Sequence, residues 1–470
     1  MTTTNASRAE FLAAREPTGP ANISLLQILR GLQSDPLRRW TEIRERHGDV
    51  ARYRFGFDDT FFVSSADGAR RVLQENVTNY TKEHPAYGML RRLVGNGLVT
   101  SEGSFWLRQR RLAQPAFHRQ RIAAMGSLMT AAATEVAERW ERGGETVSML
   151  HEMSQLTLRI VGDALFGTTL APKATAVGAS WDLLNSQMVE RFKNMRLIPP
   201  ILPTRYDRDF RDARRVLFGT VDEIIAQKRA SGTDAGDLLS MLMAARDEDT
   251  GEQMTDAQLR DEVVTMLLAG HETTAMTLSW TWALLDQHPE VRAKLDAELS
   301  AVLGGRVPAM EDMAKLPYTR GVIDEVMRLY PPVYTMFRRI KEDDVVCGHR
   351  VHKGGVVIIS PLILHRHPAY WDQPDAFLPE RWGDAEAEKR RPRFAYMPFS
   401  GGPRQCIGNS FAMMEAVLVL ATLAQRFSPR MAEGYKLEPH YLVTLRPSAG
   451  LPMRIAPARG VVPPGARAAG

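Results

Sequence analysis

Two cysteines, Cys347 and Cys406, are all that the 470 residues contain. That scarcity excludes a disulfide framework and a zinc site built from thiolates, and it points to a reducing compartment, the cytoplasm. Long apolar runs are missing as well. Residues 1–20 are polar and carry Pro17, Gly19 and Pro20, with nothing near the roughly 18 apolar residues that span a bilayer. The charged start and apolar segment of a signal peptide are also missing, so no membrane anchor is expected. Charge of one sign is scarce: 60 Lys and Arg against 55 Asp and Glu leave +5. The basic residues are scattered and no RNA- or DNA-binding motif occurs, which argues against nucleic acid as a partner. Internal repeats, low-complexity tracts and interdomain linkers are absent too.

What is present is a chain rich enough in apolar residues, 44%, to bury a large core. Strand-like text at 51–57 and 60–64 gives way to long helical text from about Leu107 onward. Residues 231–236 read as a loop between helices, and short strands such as 355–359 follow Pro331. This order predicts a mainly α protein with small β-sheets in one large domain over 21–455. A flexible segment, 1–20, precedes it, and a flexible Gly-, Pro- and Ala-rich tail, 456–470, follows.

One cysteine has a distinctive setting, Phe399-Ser400-Gly401-Gly402-Pro403-Arg404-Gln405-Cys406-Ile407-Gly408, running into an apolar helical stretch. A thiolate just ahead of a helix start gains from the positive end of the helix dipole. Gly401, Gly402 and Pro403 enforce a turn that presents the sulfur, and Gly408 allows a flat ligand close to the backbone. Arg404 supplies a fixed cation for a carboxylate-bearing ligand. An isolated cysteine is most often a small buried hydrophobe. Such a residue has no need of Phe399, Arg404 and Gly408 at these offsets, and the combination describes haem iron with an axial cysteine.

A second stretch, 255–289, opens on a capping box, Thr255-Asp256-Ala257-Gln258, and ends at His288-Pro289, giving a helix of about 30 residues. Its centre is Ala269-Gly270-His271-Glu272-Thr273-Thr274. Met266, Ala269, Gly270, Thr273 and Thr277 share one face by helical spacing. Gly270 costs the helix about 1 kcal/mol relative to alanine, so something is expected to approach the backbone there. His271-Glu272 does not begin a zinc motif, because Ala275 stands where the second histidine would be.

The cysteine segment resembles the haem-binding loop of cytochromes P450, and the helix centre resembles their oxygen-activating helix; the likeness covers roughly 36–455. It implies the P450 fold, haem b ligated through Cys406, and contacts to the haem from Phe399, Gly408, Ala269 and Gly270. It also implies that Thr273 hydrogen-bonds bound dioxygen while Glu272 relays protons. Trp106 and Arg110, four apart, and Arg404 would hold haem propionates. A further propionate arginine is expected from Arg338 and Arg339, with Arg339 the chosen one. Glu325, Arg328 and Arg381 (in Pro379-Glu380-Arg381-Trp382) would form a structural network. His365 and His367 receive no role.

A P450 of this kind is a monooxygenase that inserts one atom of O2 into a lipophilic organic substrate by hydroxylation or epoxidation. The segments 87–93, 266–273, 333–336 and 441–443 stand where such enzymes line their pockets. They are mostly apolar, with Tyr334 and Thr335 as possible polar contacts. No flavin or nicotinamide domain fits in the chain, so electrons would come from a ferredoxin or flavodoxin with its reductase. Arg108, Arg111, Arg119 and Lys389-Arg390-Arg391 are candidates to steer an acidic donor. The rival readings are a P450-fold peroxygenase or isomerase, which often lacks the acid–alcohol pair, and a non-enzymatic haem sensor.

Overall fold

A computed structural model of the chain describes residues 5–20, 35–55, 58–142, 146–167, 180, 183–184, 187, 205–231, 237–247 and 249–458. The expected loop at 232–236 and most of the tail beyond 458 lie outside the described residues. Two compact units emerge. One gathers the described parts of Met1–Arg91 with Met327–Ala376 and Asp384–Cys406; the other gathers Arg92–Val326, Phe377–Gly383 and Ile407–Gly470.

The first unit is built on a five-stranded sheet. Across it lie Val50–Phe55, Asp58–Val63, Val356–Ile359, Met336–Ile340 and Tyr80–Thr81, in that order. Only Asp58–Val63 and Val356–Ile359 pair in parallel; the other pairs are antiparallel. The β-branched and aromatic residues Phe61, Val63, Val357 and Ile359 face a core shared with Val72, Leu73 and Phe394. Residues 5–20 depart from the expected flexible segment. Arg8–Ala13 is a short helix with a Ser7–Glu10 capping box. Beyond it, the Arg15 amide donates to the Gly348 carbonyl and the Arg52 amide to Thr18.

Arg328 organises the end of this unit. It is fully buried. Its Nη1 donates to the His365 carbonyl at 2.8 Å and the Pro374 carbonyl at 2.6 Å, and its Nη2 donates to Ala376 at 2.8 Å. Its guanidinium carbon lies 5.0 Å from the centre of the Trp371 ring. A planar fork with five N–H groups suits a set of fixed carbonyls that a lysine cannot copy. His365, also buried, carries the network on: its Nε2 accepts the Met397 amide at 2.9 Å. Burial, then the Arg328 charge, pushes its pKa down to about 3, so it sits neutral.

The second unit is helical around the long helix Asp256–Gln287. The Thr255 hydroxyl accepts the Gln258 amide and the Gln258 side chain accepts the Thr255 amide, as the capping box predicts. This helix is buried on nearly every side, against Met149–Phe166, the helix Asn409–Ala424 that follows the cysteine loop, and Arg205–Ser231. Small three- and two-stranded sheets, Thr146–Ser148 with Pro452–Arg454 and Arg430–Met431, and Pro439–Tyr441 with Leu445–Pro447, edge the bundle.

Two neighbouring acids of the long helix, the half-buried Asp261 and the buried Glu262, accept backbone amides. Asp261 accepts the Asn96 amide at 2.8 Å, and Glu262 accepts the Leu98 amide at 3.0 Å. Gly97 fits only because it lacks a side chain, since a Cβ there would sit 2.3 Å from the Thr265 hydroxyl. Burial pushes the Glu262 carboxyl up to about 8, with the Asp261 charge adding and the Leu98 amide opposing. Glu415, on Asn409–Ala424, is raised well above the ordinary value by burial.

Two predictions follow from these groups. Arg328→Lys leaves buried carbonyls unpaired and should cost at least about 2 kcal/mol in denaturant unfolding; unchanged stability would remove Arg328 from its structural role. Glu262 keeps its proton in the folded chain at pH values where the unfolded chain has lost it, so ionisation opposes folding. Stability should therefore fall as pH rises from the ordinary 4.5 to about 8 and level off above. Glu262→Gln should flatten the slope in that window by at most about 1.4 kcal/mol per pH unit, while Glu415 keeps part of the trend. An identical slope in the variant would mean that Glu262 is ionised throughout.

Candidate active site

The cysteine loop is shaped by close backbone packing. The Cys406 amide donates to the Phe399 carbonyl at 3.0 Å, closing the loop across the glycines. Ser400 has φ 60° and Gly402 φ 67°. A Cβ on Gly402 would lie 2.0 Å from the Leu73 carbonyl oxygen, and one on Gly401 would lie 2.4 Å from the Phe394 ring. Both glycines are thus demanded by the protein itself, against the π-helical turn Arg71–Glu75 and the core. Arg404 ends the turn Gly402–Arg404 half-buried, Phe399 is half-buried, and Cys406 is exposed. Gly408 caps the helix Asn409–Ala424, so the sulfur belongs to a residue three positions ahead of a helix start.

The other cysteine, also exposed, has a different setting. Cys347 sits at φ 49° in the hairpin turn between Asp344–Val346 and His349–Val351, with its sulfur 3.2 Å from the Ser65 hydroxyl. Burial pushes its thiol up, against the thiolate.

Arg338 and Arg339 lie on one strand and so face opposite ways. Arg339, the expected propionate arginine, has its guanidinium engaged elsewhere. It pairs with Asp58 at 2.8 Å and donates to the carbonyls of Gly354 and Glu83. Arg338 is 4% exposed on the face of Met336 and Ile340. Its Nη1 meets only neutral acceptors, the Tyr87 hydroxyl at 3.0 Å and the Phe337 carbonyl at 2.8 Å. Among the described residues no carboxylate lies within ion-pair distance of it. A buried guanidinium without a counter-ion is the complement of an anionic ligand. The alternation of apolar Met336 and Ile340 carried the signal that Arg338 shares the inward face.

In the helical unit, the long helix is interrupted in its burial at one place. Met266, Leu267, Leu268, His271, Glu272, Thr274, Ala275 and Thr277 are all buried, whereas Ala269 is exposed and Gly270 and Thr273 are half-exposed. This notch in an otherwise enclosed apolar helix is a surface for a flat ligand. The Thr273 hydroxyl donates to the Ala269 carbonyl at 2.8 Å, and Thr277 and Thr281 repeat the pattern one turn on each.

Gly270 needs a second account. A Cβ there would point at Val161 of Met149–Phe166, 3.1 Å from its Cγ2. Its smallness thus serves packing between helices, where Val161 approaches the backbone. At the same level the Thr157 hydroxyl donates to the His271 carbonyl at 3.1 Å.

Glu272 is 3% exposed and does not face solvent. Its Oε1 accepts the Thr444 hydroxyl at 2.6 Å and an Arg446 Nη2 hydrogen. These two partners, more than 170 residues away, left no local pattern in the sequence. Trp106 and Arg110 lie on one face of Gly103–Ala113, half-buried, with Arg110 Nε on Gln114 at 2.9 Å. Glu325 accepts Arg381 Nε at 2.9 Å, the Leu378 amide at 2.9 Å and the Trp382 indole at 3.0 Å. Of the basic residues considered for docking, Arg111 is paired with Asp247 and Asp249, and Arg108 with Glu252.

Within the first unit the presented sulfur of Cys406 with Arg404 and the buried Arg338, and within the second the bare strip of the long helix with the half-buried Arg110, each have chemistry that suits a haem. The cytochrome P450 family profile matches residues 15–450. The chain is 38% identical over 413 residues to cyclooctatin synthase of Streptomyces melanosporofaciens, covering 87% of this chain and 89% of that one. Cyclooctat-9-en-7-ol 5-monooxygenase of the same organism is 36% identical over 426 residues, 89% and 91% of the two chains. Pentalenene oxygenase of Streptomyces avermitilis is 33% identical over 412 residues, 87% and 90%. With the presented cysteine and the notched helix, this likeness along nearly the whole chain makes the protein a member of the cytochrome P450 family, a haem-dependent monooxygenase.

Proposed function

We propose that this P450 hydroxylates or epoxidises a terpenoid in the cytoplasm, using haem b and electrons from a separate ferredoxin or flavodoxin with its reductase. The notch of Ala269, Gly270 and Thr273 in a buried helix carries the reading, because only small residues bare the helix there. When bound, haem iron supplies dioxygen activation, which thiolate ligation favours. The chain's own residues do the rest. Cys406 would offer the sulfur, and Arg404, Arg338, Trp106 and Arg110 would hold the haem carboxylates. Thr273 exchanges its Ala269 carbonyl for a water in the notch, and Glu272 passes a proton toward it. Keeping both members of this acid–alcohol pair favours oxygen chemistry over a peroxygenase, an isomerase or a sensor.

The substrate class rests on relatives whose names specify pentalenene and cyclooctat-9-en-7-ol. It also rests on the segment 331–336, where Val333 is 40% exposed and the buried Thr335 hydroxyl has no partner. An apolar surface with one unspent hydroxyl suits a hydrocarbon skeleton bearing a single oxygen function. Among the described residues no helix is long and apolar enough to cross a membrane, consistent with a cytoplasmic site of action.

Three measurements test this. The reduced carbon monoxide complex should show the red-shifted Soret band of thiolate ligation, lost in Cys406→Ser and kept in Cys347→Ser; the reverse result would refute the ligand. Haem retention should drop about tenfold in Arg338→Ala, from losing one buried charge-assisted contact, and stay near wild type in Arg339→Ala. In optical titrations, cyclic terpenes should shift the haem spin state where fatty acids of equal carbon number do not. A response to fatty acids alone would overturn the substrate class.

A further inference from the structure

The pairing of Glu272 poses a problem for a proton relay. A carboxylate held by a hydroxyl at 2.6 Å and by a guanidinium, at 3% exposure, is a poor carrier while those bonds last. Both donors come from one element, the hairpin of Pro439–Tyr441 and Leu445–Pro447. Thr444 is in its turn, where the Leu442 amide donates to the Thr444 carbonyl at 3.1 Å, and Arg446 is on its second strand. Between them the Leu445 carbonyl accepts the Trp280 indole N–H at 3.0 Å, two turns further along the long helix. The hairpin therefore lies along the helix, fixed at Trp280 and clasping the acid at Glu272. His271, the neighbouring titratable group, is held neutral by burial, with the Arg446 charge reinforcing this. Arg446 is thus the cation that meets Glu272.

We propose that Thr444 and Arg446 are positioning residues that latch Glu272, so that the hairpin bearing 441–443 sets when the acid can carry a proton. This rests on the reading of Glu272 as a relay. With the latch open, the carboxylate takes one proton from a solvent water and gives one to a water beside Thr273, ending as the carboxylate it began. The resemblance places 441–443 along the substrate pocket, and on that reading an occupied pocket would loosen the clasp while an empty one would keep it shut. The device withholds protons, and so wasteful reduction, until substrate is present.

The test uses haem-loaded protein with a ferredoxin and its reductase, pentalenene as the probe, and hydrogen exchange of the 439–447 peptide as a readout independent of turnover. In wild type, pentalenene should speed exchange in this peptide. Arg446→Gln should speed it without ligand and raise ligand-free electron consumption about tenfold, the scale of one unlocked general acid, with hydrogen peroxide as the product. Arg446→Lys should restore part of the wild-type behaviour, and Thr444→Val should fall between. Glu272→Gln should slow pentalenene-driven turnover and enlarge its solvent deuterium isotope effect. If Glu272→Gln leaves both unchanged, the relay reading fails and the latch with it. If Glu272→Gln slows turnover while Arg446→Gln keeps wild-type exchange and ligand-free consumption, the latch alone is wrong. A loss of melting temperature in Arg446→Gln with unaltered ligand-free consumption would likewise reduce Arg446 to a structural role and overturn the proposal.

Discussion

Burial of the long helix Asp256–Gln287 is the constraint on which the helical unit depends. A helix enclosed on nearly all sides must find partners within the protein for most of its polar side chains, because water is not there to supply them, although Thr265 and Trp282 keep buried polar atoms without one. That requirement explains why threonines and a serine return their hydroxyls to carbonyls one turn back, at Thr273, Thr277, Ser279 and Thr281. It explains why Thr157 of the adjacent helix reaches the His271 carbonyl. It also sets off the strip at Ala269, Gly270 and Thr273, where the middle of the helix is less covered than the residues on either side.

Legibility in the sequence followed the range of the interaction. The capping box at Thr255, the stop at His288-Pro289 and the turn of Gly401, Gly402 and Pro403 are local rules, and the structure has them where the residues stand. Glu325 with Arg381 required the family likeness, since 56 residues separate them. The choice between Arg338 and Arg339 was hard to read for a different reason. Strand register turns a one-residue error into the opposite face, and the alternation of Met336 and Ile340 that fixes it is a weak signal over five residues. Residues 5–20 looked flexible because they are polar and proline-rich, yet backbone bonds to Gly348 and Arg52 hold them.

Gly270 shows how a correct expectation can have an incomplete cause. Its position in the notch suggested a ligand's approach, while its Cβ direction is toward Val161. Successive residues on a helix turn by about 100°, so Ala269 and Thr273 can bare one strip while Gly270, at its border, also admits a β-branched neighbour. One small residue satisfies both demands. The stiffness of valine at χ1 then makes the contact intolerant of even a methyl group.

Three buried glutamates around this helix show that the environment, not the residue type, assigns the role. Glu262 has one backbone amide and a neighbouring acid, so burial prevails and it is pushed up to about 8. Glu415 has only the Thr274 hydroxyl nearby, and neither of its oxygens meets a well-formed hydrogen bond, so it is driven further toward the neutral acid. Glu272, between them in the chain, has a guanidinium and a hydroxyl on one oxygen. A charge so matched is stable where it lies, whereas the other two acids are best left protonated. Of the three, Glu272 is the one held by a guanidinium, and that partner is carried by a short hairpin. A helix core cannot shift one side chain without shifting its neighbours, but a two-stranded hairpin can. The capacity to switch is located in the hairpin, and the long helix supplies the fixed frame against which it moves.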